Sequence, residues 1–185
     1  MKKSLLVAAT AILFAACESN ANKTAAGTEN KMSDSTATTS TTESKSERNK
    51  KVVMASYEAM NSHNVTEALK YCTDDVVDYG DGSMPPVKGR DSITKMINEW
   101  MTAFPDNKAS DLKYVADGDW VMVWGEQKGT WKGDFMGMKP TNKSYKLKDV
   151  DIFKLNDDGK IIEHHNVQSP NTMMMQVGMH PPKNK

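Results

Sequence analysis

Tyr145-Lys146-Leu147-Lys148-Asp149-Val150-Asp151-Ile152-Phe153-Lys154-Leu155 alternates along its length and runs into Asn156-Asp157-Asp158-Gly159; Lys160 to Gln168 then returns. Two alternating runs joined by a turn sequence read as an antiparallel hairpin. Upstream, Leu112-Lys113-Tyr114-Val115 meets Asp117-Gly118-Asp119, and Trp120 to Thr130 forms a long strand, with Gly125 and Gly129 as expected bulge or bend points. The second half of the chain is therefore antiparallel sheet.

The first half reads as helix. Val53, Tyr57 and Met60 share a helical face, and Val65 to Tyr71, introduced by Asn64, gives a second short helix. Ile93, Met96, Ile97, Trp100, Met101 and Phe104 recur at helical spacing, with Asp91 as the expected N-cap and Pro105 as the stop. A short strand, Val76-Val77-Asp78-Tyr79, separates the second and third helices and closes at Gly80, Gly82, Pro85 and Pro86. Helices followed by a curled antiparallel sheet form an α+β arrangement, whose concave face is expected to leave a cavity for a small ligand.

The amino terminus has another purpose. Met1-Lys2-Lys3 precedes a run from Leu5 to Ala16 in which only Thr10 is polar. That run suits a signal-peptide core and falls short of the roughly 20 residues that span a bilayer. It ends in Phe14-Ala15-Ala16-Cys17, which resembles a bacterial lipobox. Residues 1–16 are thus expected to be a lipoprotein signal peptide and Cys17 the lipidated residue, since several acyl chains anchor durably where one does not. Glu18 follows where an Asp would favour inner-membrane retention, so the cell envelope, at the outer membrane, is the expected location. Residues 17–45 read as a lipidated Cys and a disordered tether: Ser and Thr dominate, and Met32 is the only bulky apolar residue after Cys17. Asp34-Ser35-Thr36 is an O-glycosylation-like sequence in that tether. A single domain follows over 46–180, with a tail at 181–185.

Lysine plus arginine matches aspartate plus glutamate, 24 each, and there is no basic block, which removes the electrostatic case for nucleic acid. Beyond Cys17 only Cys72 remains, so no disulfide framework exists, and a buried structural thiol is the expectation.

The domain resembles the SnoaL-like polyketide cyclase (ester cyclase) branch of the nuclear transport factor 2-like superfamily. The pieces that carry the resemblance run in order over residues 50–180. They are Tyr57-Glu58-Ala59-Met60-Asn61 with Asn64, Thr73-Asp74-Asp75-Val76-Val77, Lys88-Gly89-Arg90-Asp91, Ala103-Phe104-Pro105-Asp106 and Ala116-Asp117-Gly118-Asp119-Trp120-Val121, then Gly129 to Gly137, Pro140-Thr141, Asp158 to His164, and Gln176-Val177-Gly178. The resemblance implies a cone of three N-terminal helices in a curved antiparallel sheet with an internal cavity. It also implies a cyclase needing neither metal nor organic cofactor, with an Asp acid/base in a pattern like His-Trp-Asp-Val-x-Asp. Here that stretch is His164-His165-Asn166-Val167-Gln168-Ser169, so Ser169 stands at the acid position and Asn166 at the preceding Asp. Trp131 and Tyr79 stand where relatives carry His. A Ser hydroxyl cannot replace a carboxylate as proton shuttle near neutral pH.

Three readings follow. One is an envelope lipoprotein binding a small, largely apolar ligand without the usual chemistry, through Tyr79, Trp124, Trp131 and Met136. The second is an enzyme with a relocated acid or base, His165, Asp149 or Asp151, acting on a small carbonyl compound or ester. The third is a homodimeric interaction module using the outer face of the sheet. His164 and His165 point to opposite faces, so one can face the cavity as acid or base; a histidine bonded within the structure or facing solvent is the simpler reading of either, and a metal site is not expected. For Asp149 and Asp151 the pattern leaves both faces open: they alternate in phase with Leu147 and Phe153, and out of phase with Val150 and Ile152.

Overall fold

A computed structural model of the chain describes residues 43–179. The signal peptide, Cys17, most of the tether and the C-terminal tail lie outside them. The elements are α1 (Lys45–Asn61), α2 (Val65–Leu69), β1 (Cys72–Asp78), β2 (Val87–Lys88), α3 (Arg90–Ala103), β3 (Lys108–Asp117), β4 (Trp120–Thr130), β5 (Ser144–Leu155), β6 (Ile161–Asn166) and α4 (Pro170–Val177). No described helix is long and apolar enough to cross a membrane.

The six strands form one open, curved sheet in the order β2-β1-β6-β5-β4-β3. The expected hairpins β3–β4 and β5–β6 are present. Two expectations about the architecture need correcting. The sheet is mixed, because β1 runs parallel to β6. Nor do three helices precede the sheet: α3 follows β1 and β2, and a fourth helix closes the domain. That fourth helix has its own local signals. Ser169 caps it through the Asn171 amide, Pro170 occupies the first turn, where its missing N–H costs nothing, and Gly178 ends it at φ +69°.

Several boundaries shift for local reasons. α1 opens at Lys45 because the Ser44 hydroxyl accepts from the Glu47 amide. α2 stops at Leu69, which makes Cys72 the first residue of β1. Asp91 does not cap α3: the helix starts at Arg90 behind Gly89, whose φ of +86° suits glycine. Gly125 and Gly129 are not bulges, since β4 pairs with β5 without interruption from Trp120 to Thr130. They are points of close approach. A Cβ at Gly125 would sit 2.5 Å from the Leu112 side chain, and one at Gly129 3.0 Å from the Tyr145 ring. The irregularity belongs to β3, between Ser110 and Lys113, with Asp111 at φ +55°.

Alternation along β4 and β5 assigns the faces. Val121, Val123, Tyr145 and Leu155 are buried on the concave side against the helices. They belong to two apolar clusters. One joins Val53, Val65, Leu69, Val76 and Ile93 to Val121, Val123, Leu155 and Ile161. The other joins Phe104, Trp131, Tyr145, Met173 and Val177, closed by α4. Cys72 is buried and free, as its surroundings in the sequence suggested, and burial pushes its thiol pKa up to about 11.

Candidate functional site

Asp149 and Asp151 lie in phase with Tyr145 and Leu155, so both carboxylates point into the concave interior. From β6 the inward residues are His164 and Asn166, paired across from Phe153 and Asp151. From β1 it is Asp78, whose register partner is His164. α1 contributes Tyr57 and β4 contributes Gln127.

Asp151, 6% exposed, is the hub. Tyr57 donates its hydroxyl to Oδ2, and Gln127 adds a longer bond to the same oxygen at 3.4 Å. Asn166 Nδ2 donates to Oδ1 at 2.7 Å, and His164 Nε2 reaches that oxygen at 3.3 Å. The other ring nitrogen of His164, Nδ1, lies 3.1 Å from Asp78 Oδ1, which also accepts from the Gly80 amide. Four side chains thus supply hydrogen bonds to the two oxygens of this buried carboxyl.

The imidazole is thus clamped between two carboxylates. Burial alone would lower its pKa, but the hydrogen bonds to Asp151 and Asp78, with their charges, outweigh that and push it up to about 10. At neutral pH His164 is a cation with both N–H groups engaged, which leaves it no lone pair to act as a base. The same contact, working against the cost of burial, holds Asp78 below the usual carboxylate range. Burial and the charge of Asp151 push the Tyr57 phenol well above its ordinary value.

Asp149 differs from its neighbour. Its Oδ1 accepts from the backbone amides of Val150 at 2.7 Å and Gln168 at 2.9 Å, and among the described residues no bond to a side chain is made. Burial, and then the charge of Asp151, push its pKa up to about 6, although the two amides and His164 pull the other way. A carboxyl that changes protonation near neutrality can both take and return a proton.

The remaining candidates fall elsewhere. His165 projects from the outer face, stacked on Tyr79 at 4.7 Å between ring centroids, with Glu163 3.4 Å from its Nε2. Tyr79 therefore does not offer its hydroxyl to the interior. Trp124, 51% exposed, also stands on the outer face beneath the Lys148 ammonium, so it does not line the cavity side. Trp131 does point inward, but it is buried in the second apolar cluster with its indole N–H bonded to the Gly133 carbonyl. Met136 is exposed at φ +50° and borders an open groove of about 690 Å³ between α3 and the 134–137 loop. A second groove, of about 600 Å³, lies between α1 and β3. Neither groove is lined by Asp149, Asp151 or His164. Ser169, which the resemblance was expected to place at the family's acid position, is the α4 cap. Among the described residues no group of three His, Cys, Asp or Glu is placed to hold a metal ion.

Sequence reading had singled out Asp149 and Asp151 and weighed His164 beside His165, but not Asp78 or Tyr57. The parallel pairing of β1 with β6 brings Asp78 in, and no local pattern announces it.

A family model for SnoaL-like polyketide cyclases matches residues 50–177. Solved structures share the fold. A candidate SnoaL-like polyketide cyclase from Jannaschia sp. CCS1 superposes with a TM-score of 0.67 at 19% identity, over 76% of this chain and 97% of its own. IdmH, a candidate polyketide cyclase from Streptomyces antibioticus, gives 0.59 at 25% identity, over 70% and 98%. AclR, a candidate hydroxylase from Streptomyces galilaeus, gives 0.61 at 24% identity, over 74% and 89%. No curated protein matches the chain. With the match extending from within α1 to the last residue of α4, this chain belongs to the SnoaL-like polyketide cyclase family, on a nuclear transport factor 2-like fold.

Proposed function

We propose that the domain is a cofactor-independent acid/base enzyme that moves a proton on a small, largely apolar carbonyl compound or ester, with Asp149 as the proton-transfer group. The observation that carries this reading is the Asp149 carboxyl: it lies on the concave face, with one oxygen fixed by two backbone amides and a pKa near 6. A general acid/base works best with its pKa near the operating pH. Phe153 and Leu147, flanking it on the same strand face, suit an apolar substrate. The Ser at the family's acid position argues against the usual cyclisation and leaves Asp149 as the relocated group. Deuterium exchange at the methyl group of acetophenone and related aryl methyl ketones, followed by NMR between pH 5 and 8, tests this. The expectation is acceleration that is lost in Asp149→Asn; no acceleration at any pH sinks the proposal.

We further propose that the protein works tethered to the envelope through Cys17. The positive start, the short apolar core and Ala15-Ala16-Cys17 support this. Detergent-phase partitioning that survives Cys17→Ser would count against it.

A homodimeric arrangement has an observation of its own. Val115 pairs with Met122, Trp120 and Trp124 lie on the same face, and all four are exposed, from 39% for Trp120 to 64% for Val115. A contiguous apolar patch of this kind marks an interaction surface. Sedimentation of the Cys17→Ser protein as a monomer at all concentrations would remove this reading.

A further inference from the structure

Pairing across β3, β4 and β5 lines up five rows of side chains on the convex face. At one end Lys108, Lys128 and Lys146 stand directly opposite one another, all three exposed. In the next row Lys148 lies across from Glu126. The rows beyond are apolar at their centre: Trp124 sits between Lys113 and Val150, and Met122 between Val115 and Ile152. Trp120 ends the face between Asp117 and Lys154. The face thus grades from cationic to aromatic. Like charges directly opposite on adjacent strands repel, so the lysine row works against the fold. Glu126 takes Lys146 and Lys148, while among the described residues Lys108, Lys113 and Lys128 make no ion pair. Six lysines in these rows face Asp117, Glu126 and, at the β3 irregularity, Asp111, a net of +3. Glu163 of β6, paired with Lys154, reduces it to +2, in a chain whose formal charge is zero.

The amino terminus enters beside the same face. Ser44 caps α1, the Lys45 ammonium pairs with Asp119 and Asp157, and the Ser46 hydroxyl accepts from the Gly118 amide at 3.0 Å. The described chain therefore starts at the β3–β4 turn, next to Trp120. Residues 18–42 separate that point from Cys17, and 25 residues reach at most about 85 Å.

We propose that the convex face of β3, β4 and β5 docks on an anionic phospholipid bilayer, its lysines meeting the head groups and Trp120, Met122 and Trp124 entering the interface. The nearness of that bilayer rests on the reading of Cys17 as an anchor. Tryptophan seats at the head-group level, where its ring is half apolar and its N–H is wet. Lysines beside an anionic leaflet add attraction that a purely apolar contact lacks. A second copy would bring an equally positive face, so charge favours the bilayer over self-association. Docked this way, the domain turns its concave interior away from the lipid.

The test is flotation with vesicles of the chain from residue 17 onward carrying Cys17→Ser, which keeps every described residue. Binding is expected to vesicles of phosphatidylcholine with phosphatidylglycerol, to weaken as salt is raised, and to be absent with phosphatidylcholine alone. Lys128→Gln is expected to weaken it about fivefold, the factor for one lysine near an anionic surface. Brominated phosphatidylcholine mixed with phosphatidylglycerol is expected to quench tryptophan fluorescence in the wild-type face and not after joint Trp120→Ala and Trp124→Ala, since Trp131 is buried. These side chains are exposed or half-buried, so the fold survives their loss. No flotation, flotation unchanged by Lys128→Gln with Lys146→Gln, or binding without quenching overturns the proposal. A dimer that Trp124→Ala dissociates, with no flotation, assigns the face to a second copy and overturns it too. Detergent partitioning of the wild type reports on Cys17 separately: lipidation without flotation keeps the anchor and removes the docking face, and flotation without lipidation does the reverse.

Discussion

His164 and His165 are chain neighbours on opposite faces of the sheet. His164 faces inward between two carboxylates and keeps 22% of its side-chain surface exposed. His165 faces outward, flat against Tyr79, beside Glu163 and near Trp120. The contrast extends along both strands. Inward, β5 and β6 present Asp149, Asp151, His164 and Asn166; outward they present Val150, Ile152, Lys154 and His165. Four polar side chains thus enter the concave side among apolar neighbours, while Val150 and Ile152 lie on the convex side of β5 between Lys148 and Lys154. A buried charge is tolerated only when paired, so this part of the inner face depends on its hydrogen-bond partners.

The largest test of this contrast removes each ring in turn. His164→Ala leaves Asp78 and Asp151 facing each other without their cation, and both are mostly shielded from water, at 15% and 8% side-chain exposure. A loss of about 3 kcal/mol in folding stability is expected at pH 7. His165→Ala should cost less than about 1 kcal/mol, because its partners remain solvated. Urea denaturation of the two variants side by side measures the difference. Equal losses would mean that the inner clamp contributes nothing special.

The clamp also fixes the sign of the pH dependence. His164 has a folded pKa near 10 against an ordinary 6.5, so the folded state binds the proton more tightly. Its stabilisation is complete below pH 6.5 and is lost as pH rises toward 10. Wild-type stability should therefore decline across that window by about 2–3 kcal/mol more than in His164→Gln. Denaturation midpoints at pH 6, 8 and 9.5 check this. Parallel curves for the two proteins would show that His164 is not held as a cation.

How much of this was legible follows from the same strands. Hairpins, helices and fold family could be read, because alternation and helical spacing are local and survive in the sequence. Facing depends on single-residue irregularities. Counted by strict alternation from the buried Ile161, Glu163 and His165 would point inward. The β5–β6 register skips a residue between Lys154 and Leu155, where Ile161 and Glu163 occupy consecutive pairing positions. The extra residue, Ile162, flips the phase and brings His164 inward instead. Nothing in Ile161-Ile162-Glu163 marks which position bulges. On β5 the ambiguity was energetic. Val150 and Ile152 look like core residues, yet they lie on the convex side, while Asp149 and Asp151 are admitted inside because donors from four other elements or loops await them. Such donors come from distant parts of the chain, beyond the reach of periodicity. Trp124 misled for a related reason, since a large aromatic in a long strand suggests an interior wall until the opposite face is known to be apolar as well.

Asp149→Asn sharpens the inner half of the comparison. Asn keeps an oxygen that can accept from the Val150 and Gln168 amides, so the change removes charge and little else. The Asp149 pKa is raised from 3.8 to about 6, which means ionisation disfavours the folded state. The wild type accordingly loses stability as pH rises from about 4 through 6, and the variant does not. At pH 8 the variant should be more stable by about 1–2 kcal/mol, with the two equal near pH 4. Gained stability with lost proton-transfer activity would be the pattern of a carboxyl kept for chemistry at a cost to the fold. A variant less stable at pH 8 would instead make Asp149 a structural acceptor.

The smallest effect belongs to the outer face. Trp124→Ala removes a half-exposed indole and the ring beneath the Lys148 ammonium, 5.6 Å from its centroid. A cation–π contact at an exposed site is worth roughly 0.5–1 kcal/mol, so monomer stability should fall by about that much. Association is the more sensitive readout. If Trp120, Met122 and Trp124 seat a second copy, Trp124→Ala should weaken self-association at least tenfold in sedimentation while leaving the Asp149 titration unchanged. If association and titration moved together, the two faces would be coupled through the strands they share, and their separation by simple alternation would fail.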